Sequence, residues 1–133
     1  MNMNHLNVWA ILAAAASAFL VGGLWYSPVF LGSAWERANG FTESPKPGPK
    51  VFVFSFLFCL VMAVNLAFFL NDPKTTTAFG ATAGFLAGFG WAAMGLAVVA
   101  LFELRSWKYS LINGGYLTVA LTLMGLILGA WRK

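Results

Sequence analysis

Apolar residues fall into four long runs that are separated by short polar connections. The runs cover residues 6–26, 51–70, 75–102 and 109–131, and none has a Lys, Arg, Asp or Glu in its interior. Each has about the 20 residues that an α-helix needs to cross a hydrocarbon core of roughly 30 Å. The pattern predicts an all-α integral membrane protein, a single domain over residues 1–133 with four transmembrane helices.

Proline and capping residues mark the connections between the runs. Residues 45–49, PKPGP, favour an extended lead into the second span, because proline cannot continue a helix. Asp72 followed by Pro73 predicts the N-cap and first residue of the third helix. A helix from Pro73 to Phe102 would be about 45 Å long, so it would tilt or protrude from the bilayer.

Residues 24–40, LWYSPVFLGSAWERANG, lie between the first two spans. Ser27 and Pro28 predict a new helix start, and Asn39-Gly40 predicts its end. Residues 28–39 would form an amphipathic helix whose apolar side covers roughly 140° of the helical wheel. Such a helix lies in the membrane interface, and Trp25 and Tyr26 just before it suit the aromatic belt.

Composition restricts the chemistry that the chain can perform. Apolar residues make up 60% of the chain and charged residues 9%, with a net charge of +4, which is typical of a membrane protein. The single histidine, His5, and the single cysteine, Cys59, supply neither a haem nor a zinc ligand set, nor a nucleophile with its base. We therefore expect no cofactor, no metal site and no enzyme activity.

The basic residues are dispersed between the runs, which suits lipid headgroups and not nucleic acid. Arg37, Lys46, Lys50, Arg105 and Lys108 lie on the side of the first and third connections, against Lys74, Arg132 and Lys133 on the other side. The positive-inside rule therefore predicts both termini outside. The first run is too long for a signal peptide and no Lys or Arg precedes it, so we expect no cleavage.

Small residues recur at helical spacing in three of the runs. They are Ala10, Ala14, Ala18 and Gly22 in the first, Gly80, Gly84, Gly88 and Ala92 in the third, and Gly115, Thr118, Thr122, Gly125 and Gly129 in the fourth. Small residues let membrane helices approach closely. They predict a compact four-helix bundle within one chain, or alternatively a homo-oligomer through the row of Gly80, Gly84 and Gly88.

The second run is rich in phenylalanine, which predicts that much of its surface faces lipid. Its aromatic residues are Phe52, Phe54, Phe56, Phe58, Phe68 and Phe69. Asn65 is expected to be the most buried polar side chain of the spans, bonded to a neighbouring helix. The alternative is that Asn65 and Asn113 line a small polar cavity.

Several motifs resemble one family of small bacterial membrane proteins, domain-of-unknown-function family 1761. They are Leu24-Trp25-Tyr26-Ser27-Pro28 with Phe30, Gly32 and Trp35; Phe102-Glu103; Leu111-Ile112-Asn113-Gly114-Gly115-Tyr116; and Gly125, Gly129 and Trp131. The resemblance implies four spans and a bacterial origin, and we expect the protein to lie in the bacterial inner membrane. Because the family's activity is not established, it assigns no catalytic residue.

The first and third connections lie on one side of the membrane, which gathers a set of aromatic, polar and charged residues. This predicted patch comprises Trp25, Tyr26, Ser27, Trp35, Glu36, Arg37, Glu103, Arg105, Asn113 and Tyr116. Basic residues beside aromatic anchors suit lipid headgroups. We expect a non-enzymatic protein that contacts lipid or protein partners there, alone, as a homo-oligomer or in a larger complex. The alternative is a small-solute channel or transporter formed between protomers.

Overall fold

The chain is described here from a computed structural model covering residues 6–41, 43, 46, 48–72 and 74–131. The described part is helical throughout its regular structure, with α1 Val8–Trp25, α2 Gly32–Asn39, α3 Pro49–Phe69, α4 Thr77–Phe102 and α5 Trp107–Ala130. Four of these helices, all but α2, are long and apolar enough to cross a membrane. The predicted all-α fold with four helices of membrane-spanning length and hydropathy is therefore confirmed for the described residues.

Three of the four spans, α1, α4 and α5, begin at side-chain caps, which differ in part from the predicted ones. The Oδ1 atom of Asn7 accepts the N–H of Trp9 at 3.0 Å, and Ser106 and Thr76 cap α5 and α4 in the same way. The prediction that Asp72 caps the third span is wrong, because Asp72 instead accepts the N–H of Lys74 in the preceding turn. Pro73, Pro45 and Pro47 lie outside the described residues.

The helix predicted over residues 28–39 is shorter at its start, since α2 begins at Gly32. The Oγ atom of Ser27 donates to the carbonyl of Leu24 at 2.7 Å and does not cap α2. The chain first turns, with the N–H of Gly32 bonded to the carbonyl of Ser27 at 2.8 Å. A Cβ at Gly32 would lie 2.6 Å from that carbonyl oxygen, so only glycine fits. The predicted stop at Gly40 is confirmed, with φ 72°.

The glycines of α4 pack against α5 of the same chain. A Cβ on Gly80 or Gly84 would overlap the carbonyl oxygen of Gly125 or Leu121, and one on Gly88 would lie 2.8 Å from Cα of Thr118. The helices are thus in backbone contact, which supplies the van der Waals attraction that holds helices together in lipid. The alternative that this row forms a homo-oligomer is wrong, because α5 already covers it.

A π-helical segment, Leu86–Ala93, shifts the contact face of α4 by one residue. The regular spacing predicted that Ala92 would be the next residue after Gly88 to contact α5. Ala93 makes that contact instead: it is 5% exposed and packs against Gly114. A π turn holds more residues than an α turn, so one residue is absorbed without breaking the helix. Gly90 and Gly95 consequently face outward with open space around them.

α1 supplies the centre of the apolar core. Ala10, Ala14 and Ala18 are fully buried, and α1 lies between α3 and α5 at close backbone approach. α3 turns Ala63 and Leu66 toward this core, while Asn65 is exposed. The prediction that Asn65 is the most buried polar residue is therefore wrong, because the rotation of α3 places it on the outer surface.

α2 and α4 end with the same backbone geometry but different residues. Just after the end of α4, the N–H of Arg105 donates to the carbonyl of Ala100 at 2.9 Å, and Leu104 has a φ angle of 59°. α2 places Gly40 at the equivalent position. The left-handed conformation costs an L-residue roughly 1–2 kcal/mol, and glycine avoids that cost.

Replacing Leu104 with glycine is expected to raise the free energy of unfolding by about 1 kcal/mol. Leu104 is 91% exposed, so the substitution removes no core packing. Thermal unfolding in detergent micelles measures the change, with Gly40→Ala as the converse variant that should lose stability. A lower melting temperature for Leu104→Gly would contradict the expectation.

Candidate functional site

Trp25 fixes the end of α1 against the start of α5. Its indole Nε1 donates to the carbonyl of Ile112 at 2.8 Å, and its ring packs edge-on against Phe30 with centroids 5.1 Å apart. A Cβ on Gly115 would lie 3.0 Å from the indole ring. Gly115 was predicted to belong to the helix-packing seam, but it makes room for this tryptophan instead.

Tyr26 continues the same contact through a side-chain hydrogen bond. Its hydroxyl donates to Oδ1 of Asn113 at 2.6 Å, while Nδ2 of Asn113 donates to the carbonyl of Tyr109 at 2.9 Å. The second bond orients the amide so that its oxygen faces Tyr26. Burial, with a smaller contribution from Tyr109, raises the pKa of Tyr26, which lies just after α1. The phenol is the donor of the bond to Asn113.

Aromatic rings extend from Tyr26 in two directions. Its ring centroid lies 5.3 Å from that of Trp35 on α2 and 5.7 Å from that of Tyr116 on α5, both in edge-on contacts. The hydroxyl of Tyr116 donates to the carbonyl of Ala18 at 2.9 Å. Gly22 provides the space for this ring, since a Cβ there would lie 3.2 Å from it. α1, α2 and α5 are thus joined through one aromatic cluster.

A cleft of about 1140 Å³ opens beside this cluster, between α1, α2, α5 and the start of α3. Its walls are mainly apolar or aromatic, and Glu36 and Lys46 are the charged residues among those that line it. Cys59 lies 3.9 Å from the hydroxyl of Tyr116 within it. Ser55 also lines the cleft, and its hydroxyl makes no hydrogen bond to the residues that the structure describes.

The residues of the predicted patch divide into two groups. Trp25, Tyr26, Trp35, Asn113 and Tyr116 are linked by the contacts above, and Glu36 lines the cleft. The remaining residues of the patch do not line the cleft; they are Ser27, Arg37, Glu103 and Arg105. Ser27 bonds to Leu24, Arg37 is exposed on α2, and Arg105 lies 3.8 Å from Glu103 and 4.9 Å from the ring centre of Tyr109.

The far wall of the cleft consists of residues that the sequence analysis did not assign to the predicted patch. They are Phe19, Leu20 and Gly23 of α1 and Val51, Phe52, Ser55 and Cys59 of α3. Their facing arrangement depends on how α3 is rotated against α1, which hydropathy does not encode. The adjacent pair Gly22-Gly23 could have indicated this cleft from the sequence, because glycines in a membrane helix mark close approach or open space.

The cleft combines mainly apolar walls with a few polar groups. Within the described ranges, no group of three or more His, Cys, Asp or Glu could hold a metal ion. The phenols of Tyr26 and Tyr116 already donate to Asn113 and to the backbone. An apolar cleft with a few polar groups at defined positions is the usual form of a ligand site.

The family model described as "Protein of unknown function (DUF1761)" matches residues 9–129 of the chain. The matched residues include α2, the aromatic cluster and all four spans except Val8 and Ala130 at their ends. Comparisons with curated proteins and with solved structures give no significant match. Because the match covers most of the chain, as the motifs around Trp25 and Asn113 had indicated, this protein is a member of the DUF1761 family.

Proposed function

We propose that the protein is a non-enzymatic component of the bacterial inner membrane that binds a phospholipid in the cleft beside the Trp25–Tyr26 corner. The observation that carries the proposal is the cleft itself, whose wall is mainly apolar and includes one basic and one acidic residue, Lys46 and Glu36. A phospholipid combines acyl chains with a charged headgroup. Its two parts correspond to the two kinds of surface that the cleft presents.

The apolar wall suits an acyl chain. Phe19 and Leu20 of α1 face the same space as Val51 and Phe52 of α3, and both pairs lie within spans long enough to cross the membrane. A volume of about 1140 Å³ exceeds the range of roughly 300–1,000 Å³ that is common for drug-sized ligands. The cleft is therefore large enough for part of a lipid.

The polar groups suit the headgroup. The ammonium group of Lys46, which lines the cleft, favours a phosphate. The Ser55 hydroxyl provides a further donor that no described residue uses. We therefore infer that the preferred lipid carries a phosphate.

The surroundings of the cleft support an interfacial position for α2. Trp25, Tyr26 and Trp35 are amphipathic aromatic side chains of the kind found at the boundary between acyl chains and headgroups. More basic residues lie in the first and third connections, which are on this side of the spans, than on the opposite side. We propose that this side faces the cytoplasm and that both termini lie outside.

Filling the cleft should remove the bound lipid. Gly23 lines the cleft, and a Cβ there would meet nothing within 4 Å, so Gly23→Phe should occupy the lipid's space without disturbing the helices. Native mass spectrometry of protein extracted gently from membranes should show a retained phospholipid on the wild type and its loss from Gly23→Phe.

The matched control is Gly90→Phe, at another exposed glycine with open space but outside the cleft. This variant should retain the lipid as the wild type does, and both variants should keep the wild-type melting temperature. Equal lipid retention by Gly23→Phe and the wild type would disprove the proposed site.

A flux measurement distinguishes the lipid-binding proposal from the alternative of a channel or transporter. A lipid-binding protein reconstituted in liposomes should leave the permeation of small ions and solutes at the level of protein-free vesicles. Flux that rises with the amount of reconstituted protein would favour the alternative and would count against our proposal.

A further inference from the structure

The outward face of α3 presents one polar side chain among apolar ones. Phe54, Phe58, Val61, Asn65 and Phe69 are all exposed, at successive spacings of four, three, four and four residues. This spacing keeps them on one side of a helix. The opposite side of α3 packs into the protein's core, so the exposed stripe is available for contact with another molecule.

Asn65 has no hydrogen-bond partner for its side-chain amide among the described residues. The hydroxyls of Ser17, Thr82 and Thr122 each donate to a carbonyl of their own helix. Asn113 is likewise bonded, to Tyr26 and Tyr109. The amide of Asn65 thus presents both a donor and an acceptor to the surroundings of α3.

The position of Asn65 places this amide among acyl chains. It lies four residues before the end of α3 at Phe69, which corresponds to about 6 Å along the helix axis. The residues that follow it, Leu66 to Leu70, are all apolar. An acyl chain offers no hydrogen bond, so an amide at this depth gains free energy from a polar partner.

We propose that two copies of this chain pair through the outward face of α3, with the two Asn65 amides hydrogen-bonded to each other. Copies inserted in the same direction are related by a two-fold axis along the membrane normal, so each Asn65 meets its counterpart at the same depth. An amide is self-complementary because each side chain can donate to the other's oxygen. Phe58 and Val61 pack around this contact.

The proposal is independent of the lipid site. The cleft is lined by Phe52, Ser55 and Cys59 on α3, whereas Val61, Asn65 and Phe69 do not line it. Loss of the bound lipid in Gly23→Phe and loss of the dimer are therefore separate readouts. Either proposal can fail while the other stands.

The test compares Asn65→Leu with a control on another exposed polar residue. In sedimentation experiments at a series of detergent concentrations, the wild type should be dimeric and Asn65→Leu should raise the dissociation constant about tenfold or more. Thr82→Val is the matched control, because the Thr82 hydroxyl is exposed but already bonded to Ala78. Thr82→Val should leave the dimer unchanged, and Asn65→Gln should retain it.

Disulfide crosslinking in native membranes provides a second measurement that does not depend on the stability of Asn65→Leu. In a Cys59→Ala background, Val61→Cys should crosslink two copies on oxidation, whereas Val98→Cys on the exposed surface of α4 should not. A monomeric wild type at all concentrations, a dimer unaffected by Asn65→Leu, or crosslinking through Val98→Cys alone would each overturn the proposal.

Discussion

Replacing Gly84 with leucine is expected to separate α4 from α5 and to lower the free energy of unfolding by about 3 kcal/mol or more. A Cβ at Gly84 would overlap the carbonyl oxygen of Leu121 and lie 3.1 Å from Cα of Thr122. These are backbone atoms of α5, so no side-chain rotation relieves the overlap. The helices must move apart, and the close contacts at Gly80 and Gly88 are lost as well.

Gly95→Leu is the matched control for this substitution. Gly95 lies on the same helix but is exposed, and a Cβ there meets nothing within 4 Å. Leucine has a higher helix propensity than glycine, so stability should be unchanged or slightly higher. Thermal unfolding in detergent, followed by near-ultraviolet circular dichroism, measures both variants. Equal melting temperatures for Gly84→Leu and the wild type would contradict the contact between α4 and α5.

Breaking the bond between Tyr26 and Asn113 is expected to give the second large loss, about 2 kcal/mol for each single substitution. The two atoms are 2.6 Å apart in a partly buried position. Tyr26→Phe keeps the ring contacts with Trp35 and Tyr116 but leaves the amide oxygen of Asn113 without its donor. Asn113→Leu leaves the phenol of Tyr26 without its acceptor.

A double-mutant cycle isolates the energy of this bond. The double variant Tyr26→Phe/Asn113→Leu should lose less stability than the sum of the single variants, with a coupling of about 1 kcal/mol or more. Tyr109→Phe serves as the control, because the Tyr109 hydroxyl makes no hydrogen bond to the described residues. Additive losses within about 0.3 kcal/mol would show that the two side chains do not interact.

The boundaries of the helices show how far local signals reach. The four spans were predictable because an apolar run of sufficient length has few alternatives in a membrane. Gly40 was correctly identified as the end of α2, since its left-handed conformation is a local backbone property. Asp72 was misidentified as the cap of the third span because Thr76, four residues later, has the same capping chemistry. Composition alone does not choose between two adequate caps.

The glycine rows illustrate a different limit. Their spacing correctly indicated close helix contacts, but it did not state which surface each row contacts. The partner of Gly84 is α5 of the same chain, and the partner of Gly115 is the indole of Trp25. The π-helical segment further moved the contact from Ala92 to Ala93. Such a shift depends on the fit between two helices, which neither helix encodes alone.

The sequence by itself determined that this is an all-α membrane protein with four spans, where each span lies, and that Trp25, Tyr26 and Asn113 are residues of interest. Only the tertiary structure decided that Asn65 faces outward, that α4 is covered by α5, and that α1 and α3 enclose a cleft beside Lys46 and Glu36. The physical reason is that hydropathy records whether a segment enters the membrane. The rotation and register of each helix are instead set by the packing of pairs of surfaces, which forms only when the chain has folded.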